Sequence, residues 1–159
     1  MSPKYRQAPR SGRVDGHAAK KRLSQNFLHD LNVRDRIVQA GAPAAGELVL
    51  EIGPGLGFLT EALLASGANV VAVELDNDLI PRLQHKFAAQ ISAGQLTLIH
   101  GDALTVALES LAPTSGSWRV IANIPYHVTS PLLHRLLLLA VPPARIVLLV
   151  QLEVAERVA

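Results

Sequence analysis

The chain has 159 residues, a net charge of +2 and no cysteine. This length favours one domain with a sizeable core, and the lack of cysteine excludes disulfides and thiolate metal sites. The N-terminus has no apolar signal core, and the longest apolar stretch, 136–141, is far too short to span a bilayer. We therefore expect a cytoplasmic protein with no membrane contact and no metal site.

The first 22 residues differ from the rest of the chain in charge. They contain seven Lys or Arg and one acid, whereas the remaining 137 residues contain eight basic and twelve acidic groups. Because this segment is also nearly free of apolar residues, we predict that 1–22 is a disordered basic tail that docks on phosphates. A solvated terminus without a specific role is the alternative. Residues 23–159 then form the folded domain.

Hydrophobic patterning after the tail predicts alternating helices and strands. A first helix has Val33, Ile37 and Val38 on its inward face, a second covers 58–64, a third runs from an Asn77 cap to about Ile91, and a fourth starts at Ser130-Pro131. The predicted strands are 48–52, 69–74, 96–100, 117–122 and 146–150. This alternation is typical of an α/β fold with a doubly wound, mostly parallel sheet.

Polar residues follow four consecutive predicted strands at the point where each strand ends. They are Gly53, Glu74, Asp102 and Asn123. The carboxyl ends of parallel strands meet at the same edge of a sheet, and ligands of open α/β sheets bind there. One such residue could serve as a turn or cap, but four in register predict a shared ligand site.

The segment 53–57 has a glycine at every second position, which permits positive φ and close approach of the backbone to a ligand. Glu74 lies 21 positions after Gly53, where an acid can accept hydrogen bonds from ribose hydroxyls. A nicotinamide dinucleotide is one candidate, but Phe58 stands where its fingerprint requires a third glycine. The loop instead resembles that of S-adenosylmethionine-dependent methyltransferases, and Asp102 would suit the adenine amine of that cofactor.

The turn from Asn123 to Tyr126 indicates the reaction. An exocyclic amine on an aromatic ring is a weak nucleophile because its lone pair is delocalised into the ring. The Asn123 side-chain oxygen and the Pro125 carbonyl can accept its two N–H groups, while Tyr126 can stack on a flipped-out base with ~1–3 kcal/mol. We therefore predict catalytic roles for Asn123, Pro125 and Tyr126. An ordinary Asn–Pro turn is the alternative.

Five segments together resemble the ribosomal RNA adenine dimethyltransferase family, and within it the small-subunit branch. They are 23–28, 51–57, 73–76, 101–103 and 123–126. The resemblance implies dimethylation of two adjacent adenines near the 3′ end of small-subunit rRNA, on a pre-ribosomal particle, in ribosome biogenesis. It also implies a set of cofactor contacts, namely Asn26, Leu28, Gly53, Glu74, Asp102 and Asn123.

The C-terminus departs from the family pattern. The family fold has seven strands and then a small helical domain, whereas this chain stops soon after its fifth predicted strand. We therefore expect a Rossmann-like methyltransferase fold that is truncated after about strand five and impaired in RNA docking. Separately, we expect a monomer. Two other functions stay open, a large-subunit rRNA adenine methyltransferase of the macrolide-resistance type and a non-catalytic RNA-binding assembly factor.

Overall fold

A five-stranded parallel sheet organises the fold in the computed structural model, which describes residues 13–14, 17–18, 30–114, 116–124 and 126–149. The sheet contains β3 (Leu48–Ile52), β4 (Asn69–Glu74), β5 (Leu96–His100), β6 (Trp118–Asn123) and β7 (Arg145–Leu149), in the order β5-β4-β3-β6-β7. All four neighbouring pairs are parallel. Two short strands earlier in the chain, β1 (Arg13–Val14) and β2 (His17–Ala18), pair with each other antiparallel.

Helices cover both faces of this sheet. They are α1 (Leu31–Gly41), α2 (Phe58–Ala65), α3 (Ile80–Lys86), α4 (Ala88–Ser92), α5 (Leu108–Leu111) and α6 (Tyr126–Leu137). One core packs α1, α2 and α3 against strand residues such as Val49 and Val70, and the other packs α5 and α6 against Leu50 and Val120. Since alternate strand residues face opposite sides, both sides are apolar, as expected for a parallel sheet. The predicted doubly wound α/β fold is confirmed.

Three predicted strands, 48–52, 69–74 and 96–100, agree with the structure at both ends. The other two are displaced by one residue each, to Trp118–Asn123 and Arg145–Leu149. The order of the strands reverses at β3, which has β4 on one side and β6 on the other. The crevice beside β3 is therefore the topological switch point at which such sheets bind ligands.

The prediction of one helix capped by Asn77 is wrong. Asp76 makes the turn instead, because its side chain accepts the Asp78 N–H at 3.2 Å and its carbonyl accepts the Leu79 N–H at 3.0 Å. The helix then starts at Ile80 and is interrupted at Phe87, whose φ of −112° and ψ of 25° depart from helical values. The repeating apolar positions therefore span two helices.

The predicted helix start at Ser130-Pro131 is also wrong, because α6 begins at Tyr126 and contains Pro131. A proline inside a helix removes the bond from its own nitrogen to the carbonyl four residues earlier. Here that carbonyl belongs to residue 127, so the loss falls in the first turn, and the helix continues to Leu137.

Several predictions lie outside the described residues. They concern Asn26, Leu28, Pro125 and 151–159, as well as the tail apart from its two short strands. Within the part of the chain that is described, no helix is both long enough and apolar enough to cross a membrane. The same residues contain no cluster of three or more His, Asp or Glu side chains suited to a metal ion.

Candidate functional site at the carboxyl edge of the sheet

The parallel pairing of β3 and β6 places Gly53 beside Asn123. Leu50 is in register with Val120, so three positions further along Gly53, just after β3, lies beside Asn123, the last residue of β6. A Cβ atom added to Gly53 would lie 3.9 Å from the Asn123 carbonyl oxygen. On its other side, the Gly53 N–H donates to the Val73 carbonyl at 2.9 Å. Gly53 therefore lies at the switch point, between the ends of β4 and β6.

The glycine loop, residues 53–57, adopts the conformation that its composition predicts. Gly53, Gly55 and Gly57 have φ values of 70°, 61° and 78°, all in the left-handed region. At Gly57 a second constraint applies, because an added Cβ would lie 2.5 Å from the Phe87 ring. All three glycines are therefore needed for their positive φ values. Gly57 is also needed because the Phe87 ring, just after α3, leaves no room for a side chain there.

Glu74 ties three parts of the edge together. Its Oε2 accepts the Gly55 N–H at 2.9 Å, and its Oε1 accepts the Asp76 N–H at 2.7 Å. Its carbonyl accepts the Gly101 N–H at 2.9 Å, which attaches the segment after β5. Each carboxylate oxygen retains a second lone pair that can accept a ligand hydroxyl.

Burial raises the pKa of Glu74 above its ordinary value, and the nearby Asp76 carboxylate adds to the rise. The backbone N–H groups of Asp76, Gly55 and Leu75 oppose it by stabilising the charged form. The carboxylate is therefore held in place by backbone donors while being only 5% exposed. Such a buried, fixed acceptor is suited to a ligand that brings its own hydrogen-bond donors.

Asp102 lies in a tight turn directly after Gly101. Its Oδ1 accepts the Leu104 N–H at 2.8 Å, and its carbonyl accepts the N–H groups of Thr105 and Val106 at 2.9 and 2.8 Å. This Asx turn fixes the position of the carboxyl group. The Gly101 to Glu74 bond places the turn beside the end of β4, so the two carboxylates belong to the same edge.

Glu51 belongs to the same region, although it is not among the site residues predicted from the sequence. It is 1% exposed on β3, two residues before Gly53, and its Oε2 has no hydrogen-bond partner among the described residues. The Thr60 hydroxyl on α2 is also buried; it makes no hydrogen bond of good geometry with the described residues, but it is near enough to Glu51 to affect the pKa of that carboxyl. The available signal was an acid inside an otherwise apolar strand, since charged residues are rarely fully buried unless paired.

Burial is the main cause that raises the pKa of Glu51 to about 8; the Thr60 side chain and backbone N–H offset part of this rise, and the Glu74 carboxylate adds to it. At neutral pH this carboxyl is therefore largely protonated. Strongly perturbed acids in a cleft are typical of functional sites, because function holds them there at a cost in stability. Glu51 thus adds a second buried acid with a raised pKa to the region of Glu74.

The structure thus brings Gly53, Glu74, Asp102 and Asn123 to one edge, as the sequence predicts. Helix α6 begins at Tyr126, immediately after the Asn123 turn, while Pro125 and the Tyr126 side chain lie outside the described part. The edge offers carboxylate and amide acceptors beside a close-approach glycine loop. It is therefore equipped for a ligand with hydroxyl and amine donors.

Residues 16–159 match the family described as ribosomal RNA adenine dimethylase. The curated ribosomal RNA small subunit methyltransferase A of Pseudomonas putida is 47% identical over 143 residues, which are 90% of this chain and 52% of that protein. The chain therefore spans about half the length of the curated relatives that it matches.

Two solved structures resemble the fold closely. A dimethyladenosine transferase from Plasmodium falciparum superposes with a TM-score of 0.69 at 30% identity, covering 83% of this chain and 46% of that one. The 23S rRNA methyltransferase ErmE gives a TM-score of 0.68 at 29% identity, with coverages of 82% and 50%. These likenesses confirm the predicted Rossmann-like methyltransferase fold.

Proposed function

The chain belongs to the ribosomal RNA adenine dimethylase family, and on that premise we propose that its carboxyl edge binds S-adenosylmethionine for the dimethylation of rRNA adenines. The observation that carries the proposal is the geometry of Glu74, a buried carboxylate anchored to the glycine loop and to the segment before Asp102. The target is two adjacent adenines near the 3′ end of small-subunit rRNA, on the pre-ribosomal particle. The protein acts as a cytoplasmic monomer.

The residues at the edge fit the donor groups of this cofactor. Glu74 accepts the ribose hydroxyls, Asp102 accepts the exocyclic amine of the adenine ring, and Gly53 lets the backbone approach the methionine end. Asn26, Leu28 and Asn123 complete the cofactor contacts. When bound, the cofactor supplies an electrophilic methyl group on a sulfonium.

The chain's own task is to make the target amine nucleophilic and to align it. The Asn123 side-chain oxygen and the Pro125 carbonyl accept its two N–H groups, which favours a pyramidal nitrogen with a localised lone pair. Tyr126 stacks on the flipped-out base with ~1–3 kcal/mol. Rate then comes mainly from holding the reacting atoms about 3–3.5 Å apart. No strong base is needed, because the methylated amine is cationic and loses its proton readily.

The small subunit is the favoured target because the P. putida relative named for it is 47% identical, whereas ErmE, named for 23S rRNA, is 29% identical. A non-catalytic assembly factor would have no need of the Asn123 to Tyr126 turn, and that turn is intact. A dehydrogenase that binds a nicotinamide dinucleotide, the other candidate ligand, would leave the same turn unexplained. These residues support catalysis on a small-subunit adenine over the alternatives.

The first test is titration calorimetry of the 159-residue chain with S-adenosylmethionine, using NAD as the control ligand. We expect the methyl donor alone to bind. Binding of NAD instead, or no binding by a chain that circular dichroism shows to be folded, would overturn the cofactor assignment.

The second test addresses the substrate. The chain is incubated with methyl-labelled S-adenosylmethionine and with either small or large ribosomal subunits isolated from cells that lack these modifications. We expect label on adenines of the small subunit, and label confined to the large subunit would support the macrolide-resistance type instead.

A further inference from the structure

Arg135 on α6 holds the loop that carries Asp102. Its two terminal guanidinium nitrogens donate to the Ala103 and Val106 carbonyls, each at 2.7 Å. Ala103 is the central residue of the turn in which the Asp102 side chain accepts the Leu104 N–H, and the Val106 N–H donates to the Asp102 carbonyl. The loop after β5 is therefore held by a hydrogen bond of its own Asp102 side chain and by two hydrogen bonds from Arg135 of α6.

The arrangement suits arginine in particular. A planar guanidinium presents donors in a rigid fork, so that one side chain can bind two separated carbonyls, whereas the lysine ammonium is a single point charge. Hydrogen bonds from a charged donor are also stronger than neutral ones. The contact is partly buried, and the adjacent Ala103 packs in the same apolar core as Leu132 and Leu136 of α6. The loop has little freedom to move relative to the helix.

Helix α6 connects this contact to the other half of the site. Tyr126 is its first residue, and Arg135 lies nine positions further along, so the two are separated by about 13 Å of helical rise. The helix therefore starts at the turn proposed to hold the target adenine and, further along, binds the loop proposed to hold the cofactor's adenine.

We propose that Arg135 is a positioning residue that sets the Asp102 carboxylate against the exocyclic amine of the cofactor's adenine. The inference rests on the proposed function, because it assumes that Asp102 faces that amine. A loop without this restraint would still bind the ribose through Glu74. It would, however, discriminate poorly between an adenine and a base that lacks the amine.

A matched control exists at the opposite end of the sheet. Arg145 of β7 also donates to a backbone carbonyl, that of Ala40 in α1, at 2.9 Å. It thus makes the same kind of arginine-to-carbonyl contact, but away from the carboxyl edge. Arg145→Gln tests the effect of losing such a contact on stability alone.

The experiment compares the affinity of S-adenosylhomocysteine with that of S-inosylhomocysteine, which has no exocyclic amine. We expect the unaltered chain to prefer the adenine compound and Arg135→Gln to lose about fivefold or more of that preference, as a weakened hydrogen bond to a charged group predicts. Arg135→Lys should restore part of the preference. Arg145→Gln should retain all of it, and urea unfolding reports the stability of each variant.

The possible outcomes separate the two proposals. If Arg135→Gln is less stable but discriminates as well as the unaltered chain, Arg135 is only structural and this inference is overturned. If the unaltered chain is folded and binds neither compound, the proposed function fails and the inference fails with it. Selective loss of discrimination in the Arg135 variant supports both.

Discussion

The two glutamates near the ends of the central strand β3 have pKa values shifted in opposite directions. Glu47, just before the strand, accepts hydrogen bonds from Arg119 at 2.6 Å, Ser117 at 2.7 Å and the Ala44 N–H at 2.9 Å. Burial would raise the pKa of Glu47, but these bonds and the Arg119 charge outweigh it and lower the pKa to about 2. Glu51, four residues later, has a pKa of about 8 and an oxygen without a partner among the described residues.

The residues around the two glutamates also differ in how well their polar groups are hydrogen-bonded. At the amino end, Arg119 and Arg145 also donate to the Gly41 and Ala40 carbonyls, which closes the C-terminal turn of α1. At the carboxyl end, by contrast, two buried acids have raised pKa values, and one oxygen of Glu51 has no hydrogen-bond partner among the described residues. Unsatisfied buried groups persist where function requires them, which supports the proposal that the carboxyl end binds the ligand while the amino end stabilises the fold.

The largest expected difference between the two ends of the sheet is in the rate of methyl transfer by variants at the two ends of β6. Asn123→Ala, at its carboxyl end, should lower methyl transfer at least a hundredfold, because it removes an acceptor for the target amine. Loss of one preorganised hydrogen-bonding group in an active site typically costs about a hundredfold to a thousandfold. Most of the affinity for S-adenosylmethionine should remain, since Glu74 and Asp102 are untouched. Label transfer to small subunits and calorimetry measure the two quantities.

Ser117→Ala, next to the amino end of β6, is the matched control. Its hydroxyl donates to Glu47 Oε1, so the variant should lose some stability while retaining both cofactor affinity and methyl transfer. Equal transfer by the Asn123 and Ser117 variants would contradict the catalytic role of Asn123.

The two ends can also be compared through a pair of glycines. Gly57 in the glycine loop has a φ of 78°, and Gly46 before β3 has a φ of 76°. An alanine at either position has the same backbone strain, ~1–2 kcal/mol. Only at Gly57 would the added Cβ meet another group, 2.5 Å from the Phe87 ring, whereas nothing lies within 4 Å at Gly46.

We therefore expect Gly57→Ala to lower the free energy of unfolding by ~1–3 kcal/mol more than Gly46→Ala, since overpacking costs that much. Urea unfolding followed by circular dichroism measures the difference. Equal losses would mean that Phe87 moves away freely and that the loop is held less tightly than the structure indicates.

The sequence predicts the sheet better than it predicts the helices. The strands 48–52, 69–74 and 96–100 are short apolar runs bounded by polar or turn-forming residues, so their ends are marked locally. Helical periodicity continues through Phe87, and the interruption there reflects tertiary packing, because the Phe87 ring lies where a side chain at position 57 would be. The start of α6 is predicted too late because proline usually occupies the first turn of a helix. Here one helical turn precedes Pro131.

The candidate site shows the same division. The register of parallel strands explains why Gly53 and Asn123 could be placed together from their positions in the chain. Glu51 and Arg135 could not be assigned in this way, because their significance depends on burial and on carbonyls distant in the sequence. The ligand and catalytic roles of all the predicted site residues remain predictions, including those of the residues that the structure brings to the carboxyl edge.

A smaller effect distinguishes two glutamates by cofactor affinity. Glu74→Gln should weaken S-adenosylmethionine binding about tenfold, because a glutamine amide presents one oxygen where the backbone N–H groups of Gly55 and Asp76 each need an acceptor. Glu47→Gln should change the affinity by less than about twofold, as its partners lie at the amino end. Calorimetry of both variants decides, and an unchanged affinity in Glu74→Gln would contradict the ribose assignment.

The two glutamates at the ends of β3 should also give the stability opposite pH dependences. The pKa of Glu47 is lowered from 4.5 to about 2, so its contribution to stability is present above pH 4.5 and is lost as the pH falls toward 2. The pKa of Glu51 is raised from 4.5 to about 8, so the folded state retains a proton that the unfolded state releases. Stability therefore declines as the pH rises from 4.5 toward 8, by at most about 1.4 kcal/mol per pH unit.

Urea unfolding across pH 3 to 9 should separate the two groups. Glu47→Gln should flatten the profile on the acid side, and Glu51→Gln should flatten it between about pH 5 and 8, because an amide resembles the protonated acid at every pH. Glu109→Gln on the exposed side of α5 controls for the loss of one surface carboxylate. If Glu51→Gln follows the unaltered chain from pH 5 to 8, Glu51 is already ionised there, and the carboxyl end would then hold its acids much as the amino end does.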